Sequence, residues 1–104
     1  MTIVRVIDFE TTGFEPPVAE VCEVGICDID VSSREVLDGR SWLCNVEVMP
    51  PEVRAVHHIT LKDCEGYPKF DNDTPDSDFV YCFAAHNAEF ETRFFTTPKP
   101  FICT

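Results

Sequence analysis

Asp8 and Glu10, two carboxylates one residue apart, are the first side chains in the sequence whose type and spacing suit catalysis. Side chains in a strand alternate sides, so both point the same way, with Cα atoms roughly 6 to 7 Å apart. Anions held that close on a rigid edge repel each other until a cation or a proton intervenes, and hard oxygen donors of this kind suit Mg²⁺ or Mn²⁺. Asp-x-Glu by itself is a common accident of sequence, and its context is what gives it weight. The pair closes the run Ile3-Val4-Arg5-Val6-Ile7, apolar enough for a central strand buried on both faces. Thr11, Thr12 and Gly13 follow, a turn able to aim backbone N–H groups at an anionic ligand.

A third acid comes from far along the chain. Phe79 to Ala85 is another apolar run of strand type, and Asn87 to about Thr96 reads as the helix after it, with Phe90 and Phe94 on one stripe that packs on the sheet. Glu91 lies one position round from Phe90, at the edge of that stripe and within reach of Asp8. A lone glutamate there is an ordinary surface residue. His86 and Asn87, at the strand-to-helix turn, suit hydrogen bonds that fix the turn.

Asp8-Phe9-Glu10-Thr11-Thr12-Gly13 resembles the first motif of the DEDD-type 3′-to-5′ exonucleases, DEDDh branch, and Ala85-His86-Asn87-Ala88-Glu89-Phe90-Glu91 resembles the second, in the family's order. The resemblance implies an α/β fold of the ribonuclease-H-like exonuclease type, a mixed sheet with its first three strands antiparallel and helices flanking it. It also implies two Mg²⁺ or Mn²⁺ ions that assist phosphodiester hydrolysis at a nucleic-acid 3′ end and release nucleoside monophosphates. On that map Asp8, Glu10 and Glu91 are the catalytic, metal-holding acids. The Thr11, Thr12 and Gly13 backbone receives the 3′ terminus, Phe14 wedges against the last base, and Asn87 joins the substrate-binding set. Ala55-Val56-His57-His58-Ile59-Thr60 is similar to the family's His-x-Ile-Thr segment beside the bound end, which adds His57. Taken without the resemblance, His57 is a helix-end histidine satisfied by a carbonyl.

The remaining chain supplies the scaffold. Val18 to Ile29 and Val36 to Val46 read as strands that complete an antiparallel meander with the first, Gly39 marking a bulge. Pro51 opens a short helix through about His58, and Thr60-Leu61-Lys62-Asp63 has capping-box spacing. Tyr67 to Asp78, rich in Pro, Asn and Asp, is a solvated loop without the glycine and terminal glutamate of a calcium loop. Phe101 to Thr104 starts a fifth strand.

Composition narrows the partners. At 104 residues the chain fits one domain, and 44% hydrophobic residues with nine phenylalanines furnish a core. No segment resembles a membrane span or a secretion signal, so the expectation is a cytoplasmic protein without a membrane partner. The six cysteines lack any Cys-x-x-Cys pair and read as free buried thiols rather than disulfides or a zinc site. A net charge of −11 speaks against broad adhesion to a polyanion. A nucleic-acid partner must be held locally, by metal ions, backbone donors and aromatic stacking, which suits a single-stranded or frayed DNA 3′ end and leaves RNA open.

Two departures from the family pattern shape the expectation. Glu91 stands where the family has aspartate, one methylene longer than the tight octahedral geometry of Mg²⁺ favours. No histidine follows His86 and no aspartate follows Asp78, so the third motif, which carries the general base, has no counterpart. The expectation is a single exonuclease-like domain over residues 1–104, incomplete at its C-terminus, impaired alone, and prone to self-association or to a completing chain. The alternative is a catalytically inactive nucleic-acid- or protein-binding module that keeps the front half of the fold.

Overall fold

The computed structural model describes all 104 residues. Period-two burial defines its central element. Along Ile3–Thr11 (β1), Ile3, Arg5, Ile7, Phe9 and Thr11 are buried on one face while the residues between them are more open. Val21–Asp30 (β2) pairs antiparallel with β1, setting Ile7 opposite Ile26 and Phe9 opposite Val24, and Glu35–Leu43 (β3) pairs antiparallel with β2. Register on that second ladder slips between Cys27 and Ile29, beside Gly39, where the bulge was expected.

The chain then crosses over. Pro51–His57 (α1) has proline in its first turn and ends at His58 in the left-handed region, while Leu61–Cys64 (α2) is opened by a capping box in which Thr60 and Asp63 exchange hydrogen bonds of 3.1 and 2.9 Å. Val80–Ala85 (β4) returns parallel to β1 on the side opposite β2, Ala88–Phe94 (α3) follows, and Phe101–Cys103 (β5) lies parallel to β4. The strand order β3-β2-β1-β4-β5 makes a mixed, five-stranded sheet with its first three strands antiparallel, the α/β architecture expected. No helix is long and apolar enough to cross a membrane.

The principal core joins Ile3, Ile7, Phe9, Val24, Ile26 and Phe83 to Phe95, whose ring meets that of Phe83 edge-on at 4.9 Å. A smaller cluster of Cys22, Val46, Ile59 and Cys64 seats the two short helices. All six cysteines are free, and burial pushes the Cys22 thiol up to about 12 and Cys44 to about 11, so both are inert at neutral pH.

Three expectations change. β1 is buried on one face rather than both, with Val4 and Val6 half-buried on the other, and it does not stop at Ile7 but carries the acid pair inside regular strand. The helix after β4 is shorter than Asn87 to Thr96, and its most buried positions are Ala88 and Glu91, continued by Phe95, while Phe94 packs half-buried against the same core and Phe90 is half-buried. That offset of one position has a cause: Glu91 finds a backbone donor inside, as shown below. Asn87, at the helix N-cap, makes no side-chain capping bond, so the turn is fixed by its carbonyl, which accepts from the N–H groups of Phe90 and Glu91.

Candidate active site

The site exists because β1 outruns β4. The two strands pair from Ile3 opposite Val80 to Val6 opposite Ala84, after which the chain leaves β4 at Ala85 and turns through His86 and Asn87 into α3. The last part of β1 has no strand beside it there, and a buried backbone N–H without a partner is costly. Glu91 fills the gap: its Oε2 accepts the Phe9 N–H at 3.3 Å, and the residue is only 3% exposed. A carboxylate from the helix after β4 is thus drawn inward between the positions of Asp8 and Glu10 in sequence. Those two project from β1 on the side away from Ile7 and Phe9, Asp8 exposed and Glu10 half-buried.

The acids feel one another. Burial raises the Glu10 carboxyl above its ordinary value, and Asp8 and Glu23 add to the rise. Glu23 stands directly opposite Glu10 on β2. Burial likewise raises Glu91, the Phe9 N–H opposes the rise, and the charges of Asp8 and Glu10 reinforce it. No lysine or arginine forms an ion pair with Asp8, Glu10 or Glu91. Unneutralised hard oxygen donors at one end of a sheet fit a divalent cation in kind and in charge. No three acidic, histidine or cysteine side chains are drawn together into a ready-made cage, so the acids would have to close around such an ion.

Beside Glu10 opens a cleft of about 200 Å³ with Phe14, Val53, Val56 and Phe90 as apolar walls and Thr11, Gly13 and His57 in its lining. Phe14 is 72% exposed, its ring edge-on to Phe90 at 6.5 Å. Arg93 on α3 donates to the Phe14 carbonyl at 3.3 Å and to Glu15 at 3.0 Å, tying the loop that carries Phe14 to the helix that carries Glu91. Five of the residues expected at the site, Glu10, Thr11, Gly13, Phe14 and His57, therefore meet in one cleft.

Four do not line it: Asp8 and Glu91 lie outside its lining and reach Glu10 only through their charge, and Thr12 and Asn87 are turned elsewhere. Thr12 is buried and turned to Glu20, the residue before β2, its N–H donating to the Glu20 carbonyl and its Oγ1 accepting the Glu20 N–H, both at 2.9 Å. Its backbone donor is committed to Glu20 and cannot receive a 3′ terminus. Asn87 is exposed at the start of α3 and lines no part of the cleft. His57 lines it with both ring nitrogens engaged by the protein: Nδ1 accepts the Ile59 N–H at 3.1 Å, which leaves Nε2 protonated to donate to the Thr11 carbonyl at 3.2 Å. Sequence reasoning anticipated Phe14 but missed the wall that α1 supplies. Val53, Val56 and His57 share one stripe of α1 by their spacing of three and four, a signal available but unused.

The family model for the RNase T exonucleases matches residues 5–95. Among solved structures, exonuclease X in complex with 5′ overhanging duplex DNA is similar at a TM-score of 0.80 and 25% identity, over 96% of this chain and 58% of that one. E. coli exonuclease I in complex with a dT13 oligonucleotide shares the fold at a TM-score of 0.72 and 14% identity, over 89% of this chain and 22% of its own. The chain thus spans 58% or less of the length of these two proteins. No curated protein sequence matches it. With the family model spanning nearly all of β1 through α3, and with both acidic motifs at the end of the sheet, the chain belongs to the RNase T family of exonucleases, of the DEDD type.

Proposed function

We propose that the protein is a divalent-metal-dependent 3′-to-5′ exonuclease acting on a single-stranded or frayed DNA end. The observation that carries this reading is Glu91, turned inward so that its carboxylate sits on the Phe9 backbone and shares the field of Asp8 and Glu10. Asp8, Glu10 and Glu91 would hold Mg²⁺ or Mn²⁺, which when bound supplies charge stabilisation at the phosphate and a more acidic water. The chain's own residues do the rest of the positioning. The apolar walls Phe14, Val53, Val56 and Phe90 take the terminal base away from water, with Phe14 as the wedge. The amide donors of the Gly13 turn would face the terminal sugar and phosphate. Without a cation the three acids repel a phosphate, so binding of substrate and of metal are expected to be coupled. The DNA ligands of exonuclease X and exonuclease I support DNA as the substrate class.

One observation favours a second function, an inactive binding module: no three donors form a ready cage, and one Glu91 oxygen is already engaged. A melting experiment separates the two. Millimolar Mn²⁺ raises the melting temperature of the exonuclease and Asp8→Ala abolishes the rise, with stepwise EDTA-sensitive shortening of a 5′-labelled oligothymidylate. Indifference of melting to both Mg²⁺ and Mn²⁺ supports the module instead.

A further inference from the structure

We propose that His57 is a positioning residue, a strut that holds the α1 wall of the cleft against the end of β1. The proposal rests on the cleft being the seat of the nucleic-acid end. Its evidence is the double engagement of the ring. Nδ1 accepts the N–H of Ile59, two residues on, and Nε2 donates to the carbonyl of Thr11, the last residue of β1. The sulfur of Cys22, 3.8 Å from Nε2, closes the far side. An imidazole with an acceptor bond on one nitrogen and a donor bond on the other has no polar atom left for a ligand.

The two bonds join parts that nothing else holds together so directly. Ile59 belongs to the small core cluster under α2, and Thr11 is one residue beyond Glu10. Val53 and Val56 ride on the same helix as His57 and face Phe14 and Phe90 across the cleft. Val56 is 78% exposed and Phe14 72%, so packing between the walls does little to fix their separation. The His57 bridge therefore sets the cleft's width. When the bridge is lost, α1 swings on its left-handed end at His58 and the apolar slot loses its preformed shape, which costs affinity for a terminal base.

The two halves of the bridge can be cut separately. A glutamine carries an amide nitrogen at the same bond distance from Cβ as Nε2, and an asparagine carries an oxygen at the position of Nδ1. His57→Gln therefore keeps the tie to Thr11, whereas His57→Asn keeps only the turn to Ile59. Binding of oligothymidylate is measured in the presence of Ca²⁺, which suppresses turnover, for wild type, His57→Gln, His57→Asn and His57→Ala. The strut predicts that His57→Ala and His57→Asn each weaken binding about tenfold while His57→Gln stays close to wild type. Equal loss in all three variants would mean that the imidazole itself touches the ligand, and overturns the proposal. A second measurement is independent of any ligand: in the wild-type protein the Nε2-H tautomer and a slowly exchanging Ile59 amide are expected by NMR. Rapid exchange of that amide overturns the strut even if DNA binds well. Absence of oligonucleotide binding with the Ile59 amide protected would instead sink the exonuclease reading and leave the strut standing.

Discussion

The two ends of β1 treat charge in opposite ways. Near its start, Arg5 is 1% exposed yet fully satisfied, with Nε and Nη2 on the Asp28 carboxylate at 2.7 and 2.8 Å, Nη1 on the Pro75 carbonyl at 2.9 Å, and the Phe79 ring under the guanidinium. Asp30, on the same face, accepts from Thr2, Ser32 and Ser33. Near its finish, Asp8 and Glu10 have no basic partner and Glu91 has one backbone donor. One strand thus carries a sealed electrostatic joint and an open one within a few residues. The sealed end fixes the long loop before β4 onto the sheet, which frees the other end to hold charges that a stable fold would rather neutralise.

Cutting the sealed end is expected to have the largest effect. Asp28→Ala leaves the Arg5 guanidinium buried without its counter-ion and lowers unfolding free energy by about 3–5 kcal/mol, readable by urea denaturation. Relieving the open end moves stability the other way. Glu91→Gln keeps an oxygen for the Phe9 N–H and removes a charge, so without metal at neutral pH it melts a few degrees above wild type. The sign follows from the raised Glu91 carboxyl: the folded state binds its proton more tightly, so stability is greatest at low pH and is lost as pH rises through the raised value. The gap between the variant and wild type therefore closes on acidification, and Mn²⁺ reverses its sense. A wild type more stable than the variant in EDTA at pH 7 would show that the open end is not strained at all. Asp30→Asn is expected to have the smallest effect of the three, a loss of stability present at neutral pH that disappears in acid. Hydrogen bonds from Ser32 and Thr2 lead in holding the Asp30 carboxyl down to about 2, so its stabilisation is present above the ordinary value of 3.8 and fades as pH falls toward 2. The variant flattens that acid limb of the melting profile.

Much of this arrangement was legible in the sequence. The central strands announce themselves as apolar runs, the acid pair by its place at the end of one of them, and the capping box at Thr60 by spacing alone. What was hidden depends on partners distant in the chain. Asp28 reads as the polar face of a half-exposed strand, but Arg5, 23 residues away, brings it to the inner face. The Thr12 backbone reads as an anion-binding turn, but Glu20 claims it across the loop. The Phe90 and Phe94 stripe and the Ala88, Glu91 and Phe95 stripe fit helical periodicity equally well. Only a vacant donor on β1 decides between them, and no periodicity encodes a vacancy created by another strand's early end.

That early end of β4 has a consequence for how such a protein tolerates change. The third acid is docked to a main-chain amide, a group every residue except proline carries, so its location depends on where a neighbouring strand terminates and hardly at all on which side chains surround it. Sequences can drift widely around this corner while the carboxylate stays at its post. A single added residue of pairing between the two strands would evict it.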